Sequence, residues 1–159
     1  MKPLVVLCSF LISISFASAE PIVVIVRHAE KAANDPKDPD LSAAGRTRAE
    51  ALAKILKDAN ITAIFATEFK RTQETAAPIS KSAGVVPIII GGKDIAGLVS
   101  KLRQLNGNAL VVGHGDTVPD IVKALGIDAS IQISDGDYTE IFVVELGDKP
   151  QSLRLHYPQ

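Results

Sequence analysis

Residues 22–32 read IVVIVRHAEKA, an unbroken β-branched run that is entered through Pro21 and passes straight into Arg27 and His28. Continuous Ile and Val over residues 22–26 is the pattern of a strand buried on both faces, as in a parallel sheet. Strands of that kind usually give way to Gly, Asn or Asp at the turn, so a cation and an imidazole at the tip ask for a functional reason.

Outward from this strand, apolar runs alternate with helix-period segments. LSAAGRTRAEALAKILKD (41–58) places Leu41, Ala49, Leu52, Ala53, Ile55 and Leu56 on roughly one helical face, with Ser42 or Asp40 as the cap. ITAIFA (61–66) reads as a second strand and KRTQETAAPISKSAG (70–84) as a second helix, closing toward Gly84 with Lys81 in its last turns. VVPIII (85–90) is a third strand, which Pro87 assigns to an edge or a bulge. Asp94 caps the helix DIAGLVSKLRQLNG, NALVVGH (108–114) is a fourth strand, and TVPDIVKALG (117–126) a short helix. EIFVVEL and SLRLHY, joined by GDKPQ, form a terminal hairpin. Strand and helix in alternation imply right-handed crossovers, hence an α/β fold: a three-layer α/β/α sandwich with a mainly parallel sheet and a C-terminal hairpin.

The first 19 residues stand apart. Lys2 supplies a positive start, Leu4 to Phe16 an apolar stretch, and Ala17-Ser18-Ala19 a small-residue cleavage site, the pattern of a secretory signal peptide. The expected domains are a leader at 1–19 and one domain at 20–159, exported to a periplasm or the medium, with no stable membrane insertion once the leader is cut. The single cysteine, Cys8, leaves with the leader, so the mature chain has no disulfide or thiolate chemistry. Without Lys2, 16 basic residues stand against 18 acidic ones. That balance argues against nucleic acid or an anionic membrane as the main partner, and the absence of Trp disfavours base stacking. No H-x-H or H-E-x-x-H spacing occurs, so neither a metal nor a cofactor is expected. The acidic loop NDPKDPD (34–40) lacks the EF-hand spacing and reads as a solvated rim.

In open α/β sheets, ligands bind beyond the carboxyl ends of the strands. The first strand ends in Arg27 and His28, the second is followed by a helix start carrying Arg71, and the fourth ends in Gly113-His114-Gly115. Two guanidiniums and two imidazoles would converge on one mouth, and their natural guest is a phosphoryl group. The third histidine, His156, lies in the last strand and reads as structural or exposed.

RHAEK (27–31), LSAAGRTRAEAL (41–52), FATEFKRTQETAAPIS (65–80) and VVGHGDTVPDIVKALG (111–126) together resemble the histidine phosphatase superfamily, whose fold is phosphoglycerate-mutase-like, in its compact bacterial members. The resemblance implies that His28 is a nucleophile forming a phosphohistidine, that Arg27 and Arg71 bind the phosphoryl oxygens, and that His114 is the second pocket histidine, most useful when protonated. The expected activity is hydrolysis of small phosphomonoesters by an exported phosphatase. A non-catalytic phosphate or phospho-glycan binding module is the alternative, and a mutase or protein phosphohistidine phosphatase is less expected. The general acid stays open among Glu30, Asp94 and Asp116, or none.

Overall fold

The computed structural model describes residues 19–157. The leader proposed for residues 1–19 therefore lies, except for Ala19, outside the described residues. The chain runs β1 (Ile22–Arg27), α1 (Ala43–Ile55), β2 (Ile61–Thr67), α2 (Lys70–Ala83), β3 (Ile88–Ile90), α3 (Ile95–Leu102), β4 (Asn108–Gly113), α4 (Thr117–Ala124), β5 (Glu140–Glu145) and β6 (Gln151–His156). One six-stranded sheet has the order β3-β2-β4-β1-β5-β6. β1 pairs parallel with β4, and β2 parallel with β4 and β3, while β5 runs antiparallel to β1 and β6 antiparallel to β5. The α/β sandwich with a mainly parallel sheet and a C-terminal hairpin is thus as the alternation implied.

The double-sided burial of β1 is visible residue by residue. Val23 and Ile25 pack with Leu98, Leu102, Val118 and Val122 of α3 and α4, and Val24 and Val26 pack with Leu52, Ala76 and Ile79 of α1 and α2. All four β1 residues are 0–3 % exposed. Each such Val or Ile contributes on the order of 1.5–3 kcal/mol on burial, which makes the stem behind Arg27 and His28 rigid.

Two sequence expectations change. VVPIII contributes only Ile88–Ile90 to the sheet, at its edge, because Pro87 has no N–H to pair. Ile55 is 44 % exposed rather than on the buried face of α1, and Leu41 is buried ahead of the helix, in an isolated bridge with Lys31. Ser42 is the α1 cap, its Oγ accepting from Gly45 N at 3.1 Å. Gly45 itself is dictated by contact: a Cβ there would overlap the Glu30 carbonyl oxygen, which accepts from Ser42 N at 2.8 Å. The start of α1 is thereby packed against the backbone just beyond His28. Among the described residues, no helix is long and apolar enough to cross a membrane.

Candidate active site

β1, β2 and β4 are parallel neighbours, so their carboxyl ends share one edge of the sheet, and Arg27, His28, Arg71 and His114 meet there. They line an open pocket of about 760 Å³. The rings of His28 and His114 lie edge to face with centroids 5.5 Å apart.

His28 is 3 % exposed and held at both ends of its residue. Its backbone N–H donates to Gly113 O at 2.9 Å, tying β1 to β4 at the site. Its Nδ1 lies 2.8 Å from Ala29 O. A carbonyl oxygen only accepts, so Nδ1 carries the hydrogen and the neutral ring presents an unprotonated Nε2. Burial lowers the His28 pKa to about 3, the bond to Ala29 O opposes the shift, and Arg71, His114 and Arg27 add to it. The ring therefore stays neutral through mildly acidic pH, where an ordinary imidazole would be charged.

His114 is fixed by a hydroxyl chain. Thr72 Oγ1 donates to a backbone carbonyl, Phe69 O at 2.8 Å or Thr67 O at 3.1 Å, and so accepts from Thr67 Oγ1 at 2.9 Å. Thr67 Oγ1 has then spent its proton and accepts from His114 Nε2–H at 3.0 Å. His114 Nδ1 is left as an acceptor, facing Arg71 Nη2 at 3.4 Å. Burial, followed by Arg71, lowers the His114 pKa. With the Arg71 cation beside its free nitrogen, the neutral form of His114 is favoured in this arrangement, and the protonated form expected to be most useful toward a phosphoryl group would need that nitrogen to face an anion.

The arginines are aimed by their surroundings. Arg27 Nη1 donates to Ser134 O at 2.8 Å and Asp137 O at 3.0 Å, and the guanidinium lies over the Tyr138 ring, 4.4 Å from its centre. Gly115 admits this stacking, since a Cβ there would come within 3.3 Å of the guanidinium. Arg71 stacks on Phe69 at 4.4 Å. The Nε atoms of both arginines are buried without a protein partner among the described residues. Guanidiniums held by aromatic faces and carbonyls keep N–H donors for a phosphoryl group.

Arg71 also touches the acidic loop. Phe69, at the N-cap of α2, makes no side-chain cap bond, and the cap comes instead from Asp38, whose Oδ1 accepts from Lys70 N at 3.0 Å and lies 3.8 Å from Arg71 Nη1. Asp35 Oδ1 turns the loop by accepting from Lys37 N and Asp38 N. NDPKDPD is thus a built cap rather than a merely solvated rim. Asp38→Ala is expected to lower stability by about 1 kcal/mol, with Asp38→Asn retaining most of it because the amide oxygen still accepts from Lys70. Denaturant unfolding of the two variants measures the difference.

The carboxylates separate clearly. Glu30 is bound to Arg48 through bonds of 2.6–3.0 Å, outside the pocket lining, and is not available as an acid. Asp94 Oδ1 caps α3 through Gly97 N at 2.9 Å. Asp116 lines the pocket at the start of α4 and makes no side-chain cap bond. Glu68, which sequence reasoning missed, also lines the pocket, with Oε2 accepting from Gly92 N at 2.7 Å. Tyr138 and Thr67 were missed too. The signal for Thr67 is a hydroxyl at the last position of a buried strand, whereas Tyr138 sits in a loop with no periodicity. His156 lies on exposed β6, away from the site, as expected.

The comparisons with known proteins agree with this geometry. The family model for the histidine phosphatase superfamily (branch 1) matches residues 23–92, which include Arg27, His28 and Arg71. No curated protein matches the sequence at a significant level. Among solved structures, the protein histidine phosphatase SixA complexed with tungstate superposes with a TM-score of 0.71 at 18 % identity, covering 85 % of this chain and 96 % of that one. A putative alpha-ribazole-5'-P phosphatase from Escherichia coli K-12 gives 0.69 at 15 % identity, covering 86 % and 96 %. Mycobacterial glucosyl-3-phosphoglycerate phosphatase with VO3 gives 0.67 at 15 % identity, covering 87 % and 100 %. At these identities the likeness shows the fold alone. The segment that carries Arg27, His28 and Arg71 thus matches the histidine phosphatase superfamily (branch 1) in sequence, and the chain as a whole shares the fold of these phosphatases.

Proposed function

We propose that the protein is a phosphatase that hydrolyses phosphomonoesters through a phosphohistidine on His28. The observation that carries this reading is the fixed tautomer of His28: Nδ1–H is held by Ala29 O and Nε2 is left with its lone pair in a pocket bounded by two guanidiniums. In the first step Nε2 attacks phosphorus, the N–P bond forms, and the P–O bond to the alcohol breaks. The departing oxygen takes a proton from water or a pocket carboxyl. In the second step water attacks the phosphohistidine, releasing inorganic phosphate and restoring the neutral ring. Arg27 and Arg71 offset charge on the equatorial oxygens throughout, which is where most of the catalysis in phosphoryl transfer resides.

His114 changes role as the ester enters. When the phosphoryl group takes over the Arg71 guanidinium, Nδ1 of His114 faces an anion instead of a cation, and its protonation becomes favourable. Two of the similar structures carry tungstate and VO3, oxyanions of the phosphate kind. The test is phosphate release from an aryl phosphate and ordinary alkyl phosphates, with His28→Ala alongside. Phosphate binding without release by the wild type would instead support a binding module.

Export is part of the proposal and rests on the sequence of residues 1–19. Expression of the full chain in a secreting host is expected to yield a product that begins at Glu20, read by N-terminal sequencing. An uncut product retained in the cell would remove this part.

A further inference from the structure

The pocket has two zones of opposite charge. Its floor carries Arg27 and Arg71 beside the buried His28. Around the mouth stand Glu68, Asp94, Asp116 and Asp135 against Lys31 and Lys93. We propose, resting on the phosphatase reading above, that this outer zone selects phosphomonoesters whose alcohol part carries a positive charge and rejects those whose alcohol part carries a carboxylate or a second phosphate.

Orientation follows from the floor. A phosphoryl group held by Arg27 and Arg71 with phosphorus facing His28 Nε2 must direct its alcohol oxygen, and everything attached to it, toward the mouth. Two carboxylates are placed to meet that part. Glu68 is pinned by the Gly92 amide, and a methyl group built on Gly92 would lie 3.5 Å from Glu68 Oε2 and 3.6 Å from His114 Nε2, so the carboxylate and the imidazole border one spot. Asp116 makes no cap bond at the start of α4 and so has no competing structural duty. Both act on His114 in the direction that favours its charged form, although burial and Arg71 outweigh them. Asp94 is partly committed to α3, and Asp135 is exposed at the rim. Gly92 keeps the space between Glu68 and His114 free of a side chain, leaving room for a small charged group.

The experiment uses three esters of matched length: 2-aminoethyl, 2-hydroxyethyl and carboxymethyl phosphate. For the wild type, kcat/KM for the aminoethyl ester is expected to exceed that for the carboxymethyl ester by about tenfold or more. Glu68→Gln preserves the acceptor for Gly92 N–H and removes only the charge. It is expected to lower that ratio by about fivefold, Asp116→Asn by a similar factor, and the double variant further, while added salt compresses the wild-type ratio. Comparing ratios between variants cancels the intrinsic reactivity of each ester. A wild-type ratio at or below unity, or one unchanged in the double variant, overturns the inference. If that happens while release from the hydroxyethyl ester still depends on His28, the phosphatase reading stands alone. If the wild type releases phosphate from none of the esters and from no aryl phosphate, both readings fall.

Discussion

His28→Ala is expected to reduce phosphate release by at least about four orders of magnitude, because it removes the atom that becomes bonded to phosphorus rather than a group that assists. Arg27, Arg71 and His114 remain in the variant, so competitive binding of inorganic phosphate should survive within several-fold. This split distinguishes loss of a nucleophile from loss of a pocket. Arg71→Ala should behave differently. It removes donors to the transferring group, and a loss of about 10²–10³-fold shared between kcat and KM is expected, by analogy with the removal of an oxyanion donor. Circular dichroism of both variants confirms that the fold is kept. Equal modest losses in the two variants would mean that His28 merely shapes the site.

The second large effect is on acid stability. The folded-state pKa of His28, about 3, lies below that of the unfolded chain, near 6.5. Between those values the unfolded state binds more protons, so stability is fully present above about pH 6.5 and is lost as pH falls. One such imidazole is expected to cost roughly 3 kcal/mol between about pH 6.5 and pH 4, at about 1.4 kcal/mol per unit. His114, shifted in the same direction, adds to the loss. Denaturant unfolding at several pH values should show a steep decline in the wild type and a markedly shallower one in His28→Gln. Imidazole NMR offers a parallel check: the His28 resonance should not titrate between about pH 5 and pH 8. Equal slopes in the two proteins would contradict the buried neutral ring.

The sequence carried the fold wherever a strand was buried on both faces. β1, β2 and β4 are legible because strands covered on both faces of a parallel sheet carry runs of apolar residues. At the margins the pattern loses force. β3 is shortened at Pro87, and Ile55 falls to the side of the α1 face that Ala49, Leu52 and Leu56 bury. The four pocket residues Arg27, His28, Arg71 and His114 were legible because strand ends on one sheet edge must come together, whatever the details of packing. What stayed hidden depends on contacts between distant segments. The cap of α2 is Asp38, contributed by a loop far upstream, so the start of that helix carries no local signal. The proton arrangement of His114 is decided by Thr67 and Thr72 together. Glu30, next to the nucleophile in sequence, is turned away toward Arg48, while Glu68 reaches the pocket because Gly92 holds it there.

The central claim is that His28 becomes covalently phosphorylated at Nε2. The most direct measurement is a rapid quench into alkali of the enzyme turning over a phosphomonoester, followed by phosphopeptide mapping and phosphorus NMR of the trapped species. The expected result is a phosphoryl group on Nε2 of His28 that forms and decays fast enough to lie on the path to phosphate. A wild-type enzyme that releases phosphate while no phosphorylated His28 is trapped, or that carries the group on another residue, would contradict the mechanism.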